Sequence, residues 1–158
     1  MSAPRRPYLV VGYDGSPQAR LAVILAVRRA ARRGVVHIVH AYPTTPQLSE
    51  MISDAPAVDH RHAAEALLDG LVLSSDELVS SRFETELAEG SPVDALLRIA
   101  DEHDADEIVV GTRGVGRIQG LLGSVAHELL TKSDRPVLVI PPAAVARGDS
   151  RREPSRAG

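Results

Sequence analysis

A chain of 158 residues with 44% hydrophobic and 25% charged content has the size and balance of one globular domain, and needs no disulfide or metal to hold its core. A formal net charge of −3 gives no electrostatic case for nucleic acid, and the absence of Cys excludes thiol redox catalysis, thiolate metal sites and disulfides. No apolar stretch is long enough for a signal peptide or a membrane span, so the expected location is cytoplasmic, with no membrane partner.

With one Phe and no Trp, the core must come from Val, Leu, Ile and Ala, which suits a buried parallel sheet under Ala-rich helices. Tyr8 to Gly12 reads as the first strand. Asp14-Gly15-Ser16-Pro17 is turn chemistry leading into a helix: Ser16 suits the N-cap, and Pro17 the first helical position, where a missing N–H costs nothing. Ala19, Ala22, Val23, Ala26 and Ala30 then share one face of a helix expected to reach Arg33, with Gly34 as its stop. Val35 to Tyr42 is a second strand, ended by Pro43. A Pro-, Ser- and Thr-containing loop over 43–56 precedes a helix from about Ala57 to Val79, which Gly70 and Ser74-Ser75 weaken enough to break.

Arg82 to Ala88 is a third and more polar strand, which places it at an edge. Gly90-Ser91-Pro92 opens a helix with Leu96, Leu97, Ile99 and Ala100 facing inward, and Glu107 to Val110 is the fourth strand. A glycine loop over Gly111 to Gly123 leads to a last helix, capped by Ser124 and reaching Lys132. A fifth strand, Arg135 to Pro141, ends the domain, and residues 142–158 are expected to be a disordered tail. Alternating strands and helices make an α/β fold: a five-stranded parallel sheet with helices on both faces, in the spatial order 3-2-1-4-5. Ligands of such sheets bind outside the carboxyl ends of the strands at the switch point, here between strands 1 and 4.

Two segments end those strands. Gly12-Tyr13-Asp14-Gly15-Ser16 follows strand 1. After strand 4, the stretch from Gly111 to Gly123 holds five glycines in thirteen residues and then starts a helix. Glycines let backbone N–H groups approach an anion, and a helix N-terminus adds free donors and about half a positive charge. That makes a phosphate cradle to which Ser124, Arg113 and Arg117 add polar groups. A tight turn and an ordinary N-cap account for the same residues equally well, so the loop alone leaves both readings open. It is neither a Walker loop, since no Lys follows the last Gly, nor a G-x-G-x-x-G fingerprint.

Other candidates are weaker. His60 and His62 are spaced wrongly for a shared metal on a helix. His37 and His40 fall on opposite faces of a strand and read as packed or solvated, and His103, Asp104 and Asp106 read as capping and turn groups. Ser16, His40 and Asp14 lack a nucleophile-elbow sequence. No catalytic or metal site is expected.

The glycine segment resembles the signature of the ATP-binding branch of the universal stress protein family: Gly, two residues, Gly, nine residues, then Gly-Ser or Gly-Thr. Leu121 to Ala126 is similar to its usual ending, Val11 to Ser16 to its first strand and aspartate, Glu89 to Pro92 to the start of its third helix, and Arg135 to Ile140 to its closing strand. Eight residues separate Gly114 from Gly123, one fewer than the family pattern, and Ala41 stands where a larger apolar residue is usual. The resemblance implies an adenine-nucleotide site. Gly12, Asp14 and Ala41 would hold the adenosine end. Val110, Gly111, Gly114, Gly123, Ser124 and Val125 would surround ribose and phosphates, with any Mg2+ held by the phosphates of ATP. It further implies a regulatory role in stress, a homodimer formed through the exposed apolar edge of strand 5, and an unnamed protein partner. Hydrolysis should be slow at most, since no general base stands beside the cradle. The shortened loop and Ala41 favour an alternative, a non-nucleotide family member acting as an interaction module. A transferase using Thr112 or Ser124 ranks last.

Overall fold

A computed structural model describes residues 5–31, 33–43, 60–79, 81–112 and 122–150. Their elements, in chain order, are β1 (Tyr8–Gly12), α1 (Pro17–Ala30), β2 (Val35–Tyr42), α2 (His60–Leu73), α3 (Asp76–Val79), β3 (Phe83–Glu89), α4 (Pro92–Glu102), β4 (Glu107–Gly111), α5 (Ser124–Lys132), β5 (Val137–Ile140) and α6 (Pro142–Ser150). The five strands form one all-parallel sheet in the order β3-β2-β1-β4-β5. Fold class and strand order match the sequence reading.

The central strands β1 and β4 bury three consecutive apolar side chains each. Successive side chains point to opposite faces of a sheet, so a continuous apolar run means that both faces are covered. Leu9, Val11, Val36, Ile38 and Val109 face α1, α2 and α6. Val10, Val39, Ile108 and Val110 face α4 and α5. On α1 the buried residues are Ala19, Ala22, Val23, Ala26 and Ala30, the stripe that its 3.6-residue period selects. On α4 they are Val93, Ala95, Leu96, Ile99 and Ala100. Each fully buried Val, Leu or Ile contributes about 1.5–3 kcal/mol, so a core without Trp is still well supplied.

Several boundaries differ from the sequence reading, each for a local reason. Helix α1 ends at Ala30 and not at Arg33, because Ala31 turns into the left-handed region (φ 51°) while its N–H still bonds Val27 O. Gly34 is therefore not the cap. A Cβ there would lie 2.6 Å from Ala30 O and 2.7 Å from Pro7 O, so Gly34 is required by close backbone approach. The expected break at Ser74-Ser75 separates α2 from α3, and residues 57–59 of the expected helix lie outside the described residues. Residues 142–150, expected to be disordered, form α6. Pro142 starts the helix without needing its missing N–H, and Ala144 packs on the core beside α1, so burial outweighs a polar composition. Residues 151–158 lie outside the described residues. No helix among the described residues is long and apolar enough to cross a membrane.

Candidate functional site

The two central strands part at their carboxyl ends. Their pairing stops at Val11 and Val109. Beyond it, Tyr13 N–H donates to Val39 O (2.8 Å), drawing the end of β1 toward β2. Thr112 N–H donates to Ile140 O (2.9 Å), drawing the end of β4 toward β5. Helix α1 leaves on one face of the sheet and α5 packs on the other, so among the described residues the gap between the two strand ends stays open. The result is a cleft of about 170 Å³, open to solvent.

Gly12 and Asp14 line this cleft from β1, Ala41 from β2, Val110 and Gly111 from β4, and Gly123, Ser124 and Val125 from the start of α5. Eight of the nine residues chosen from sequence thus meet at one place. The ninth, Gly114, lies outside the described residues, as do Arg113 and Arg117. Gly111 is there because α1 starts against it: a Cβ would lie 2.9 Å from Gln18 Cβ and 3.3 Å from Ala19 N. The N-cap of α5 is Gly123 and not Ser124, which is the first helical residue. Gly123 has extended backbone angles and no side chain to bond the first turn. Val125 and Ala126, which line the cleft, thus have backbone N–H groups in the first turn with no intrahelical acceptor. Gly123 N–H donates to Thr112 O (2.6 Å), which ties the two ends of the glycine segment together.

Asp14 has a structural duty as well: its Oδ1 accepts from Ser16 N–H (3.0 Å), an Asx turn made possible by Gly15 at φ +82°. Ser16 is buried, and its hydroxyl accepts from Ala19 N–H (3.1 Å) as the cap of α1. His40 Nδ1 lies 2.7 Å from Tyr13 O. A carbonyl only accepts, so Nδ1 carries the hydrogen. These bonds leave Ser16, His40 and Asp14 no hydrogen-bonded relay. The Thr112 hydroxyl donates to Ile140 O (3.1 Å), which fixes its rotamer at the end of β4. Burial pushes the Tyr13 phenol up, Arg20 partly offsets this and Asp14 adds to it, so the ring lining the cleft is neutral.

A family model described as the universal stress protein family matches residues 8–141. The chain belongs to the universal stress protein family. A universal stress protein of Thermus aquaticus is 31% identical over 136 residues, covering 84% of this chain and 96% of the relative. Among solved structures, a universal stress protein in complex with cAMP is 32% identical with a TM-score of 0.63, covering 85% of this chain and 96% of that one. The universal stress protein of Archaeoglobus fulgidus in complex with dAMP is 25% identical with a TM-score of 0.54, covering 86% and 98%.

In this universal stress protein the cleft has further walls that sequence reading did not assign. Val39 and His40 precede Ala41 on β2, and their position near the end of an inner strand was signal enough to include them. Pro92 and Leu96 were not accessible in that way. They belong to the start of α4, whose first turn reaches the cleft only because the β3–α4 turn folds back, with Gly90 N–H bonded to Tyr42 O (2.8 Å).

Proposed function

We propose that this protein binds ATP in the cleft between β1 and β4 and acts as a nucleotide-dependent regulatory module in stress physiology. What carries the reading is the convergence of Asp14, Gly111, Gly123 and the first turn of α5 on one cleft. The residues fit the group. Val39, Ala41, Leu96 and Val110 offer an apolar wall to a base, Asp14 a carboxylate to a ribose or base edge, and the α5 terminus N–H donors to phosphates. The relatives in complex with cAMP and dAMP support adenine as the base. ATP supplies a triphosphate whose oxygens hold Mg2+, since no carboxylate from α5 or from β4 lines the cleft. The protein orients the nucleotide and partly excludes water. We expect turnover to be slow at most, since no carboxylate of the cleft wall lies on β4 or α5, where the phosphates would sit.

Ala41 favours one competing reading, an interaction module that takes no nucleotide, because a small residue there leaves less surface against an adenine ring. Denaturing the purified protein, identifying released nucleotide by chromatography, and titrating ATP, AMP and cAMP by calorimetry separates the two. Bound or titratable ATP, with a thermal stabilisation near 2.7 kcal/mol at a hundredfold excess over Kd, is the expected result. No adenine nucleotide released and none bound at millimolar concentration would leave the interaction module.

A further inference from the structure

At the opposite end of the sheet, four side chains far apart in sequence come together. His37 is the third residue of β2 and is 4% exposed. Glu84 is its direct neighbour in register on β3, with a side chain 55% exposed. Tyr8 opens β1, and its ring stacks on that of His103, just past α4 (centroids 4.7 Å apart, planes 6° apart). The His37 and His103 ring centroids are 5.3 Å apart, with the planes inclined at 66°. One ligand atom from each of His37, Glu84 and His103 lies within 4.8 Å of the other two.

Hydrogen bonding orients the buried imidazole. Glu86 is held by Arg98 through Oε1 (2.5 Å), and its Oε2 lies 3.2 Å from His37 Nε2. Nε2 in the neutral ring therefore carries the hydrogen, which leaves the Nδ1 lone pair aimed at Tyr8 and Glu84. Nδ1 lies 2.9 Å from the Tyr8 hydroxyl and 3.7 Å from Glu84 Oε2, and the same hydroxyl lies 3.3 Å from that carboxylate. Two acceptors thus compete for one hydroxyl hydrogen. A cation between them would satisfy both.

We propose that His37, Glu84 and His103 form a binding site for a zinc-class divalent cation, with Glu86 as the carboxylate that orients His37 and with Tyr8 beside it. The ligand set is two imidazoles and a carboxylate, which zinc takes at about 2.0–2.2 Å, so neighbouring ligand atoms sit about 3.3 Å apart. The Nδ1–Glu84 separation is close to that already. The remaining closure falls on Glu84 and His103, both exposed and able to rotate. A carboxylate on the far nitrogen of a ligating histidine is the usual means of fixing its tautomer. The ion would staple β2, edge strand β3 and the α4–β4 turn, at the end of the sheet opposite the cleft.

The test uses the full chain, stripped with a chelator and titrated at neutral pH with Zn2+ by calorimetry and with Co2+ by visible absorption. One equivalent of each is expected to bind, the Co2+ form showing the intense bands of a four-coordinate site. Glu84→Gln and His103→Gln should each weaken Zn2+ by about tenfold or more, with ATP binding unchanged. A His60→Ala, His62→Ala double variant should keep the full affinity. Absence of stoichiometric binding, affinity untouched by Glu84→Gln and His103→Gln, or affinity lost in the His60, His62 variant would overturn the site.

Discussion

At the residue scale, Ser124 separates structure from binding most cleanly. It is exposed, it occupies the first position of α5, and Gly123 rather than its own hydroxyl supplies the cap. An acidic residue in the first helical turn is favoured by the helix dipole by about 0.3–1 kcal/mol. The same charge opposes a triphosphate at that terminus. Ser124→Asp is therefore expected to hold or slightly raise the melting temperature while weakening ATP by about tenfold or more, about 1.4 kcal/mol. Calorimetry beside a thermal melt reads both. Equal ATP affinity in the variant would place the phosphates elsewhere. The sequence made this residue visible through its motif, but assigned it the cap. That error has a physical root: Ser at a helix start caps far more often than Gly does, and only the backbone angles of Gly123 show which residue lies outside the helix.

At the element scale, the start of α1 joins stability to the site. Ser16 caps the helix, Asp14 bonds the Ser16 N–H, and Gly15 between them takes a conformation that L side chains rarely adopt. Ser16→Ala leaves the buried Ala19 N–H without its acceptor. It should cost about 1–2 kcal/mol, which for a chain of this length lowers Tm by about 2–8 °C. Ser16→Thr should recover most of the loss, and melts of the two variants check this. Here the sequence was nearly sufficient, because capping and turn chemistry are local and act within a few residues. The C-terminus of α1 was not legible in the same way. Arg33 fits a helix by propensity, and the chain leaves it early because Gly34 must pass against Pro7 O before β2 can pair with β1.

At the scale of the whole molecule the two sheet edges differ. Edge strand β3 carries Glu84, Glu86 and Glu89, and charge of that kind discourages pairing with another chain. Edge strand β5 reads Val137-Leu138-Val139-Ile140, with three of its four residues only partly buried. A homodimer through β5 is the arrangement this asymmetry favours. Sedimentation should give twice the chain mass for the native protein and a monomer for Val139→Lys, with a melt recording any separate loss of folding. A native monomer would remove β5 as the interface. Dimerisation there would leave both the cleft between β1 and β4 and the His37 cluster accessible, since no residue of β5 lines either of them.

The sequence by itself determined the order of the five strands and of the helices between them, the buried face of α1 and the parallel sheet, and it pointed to the carboxyl ends of β1 and β4, where eight of the nine chosen residues line one cleft. Those features follow from short-range periodicity, from turn residues and from the rule that α/β sheets bind at a strand switch. Tertiary structure alone decided that Pro92 and Leu96 wall the cleft, that residues 142–150 fold against α1, and that the Tyr8, His37, Glu84 and His103 side chains come together. In a parallel sheet, neighbouring strands are separated in sequence by a whole crossover, and their register is set by how helices pack on the faces. No spacing along the chain encodes that His37 stands beside Glu84.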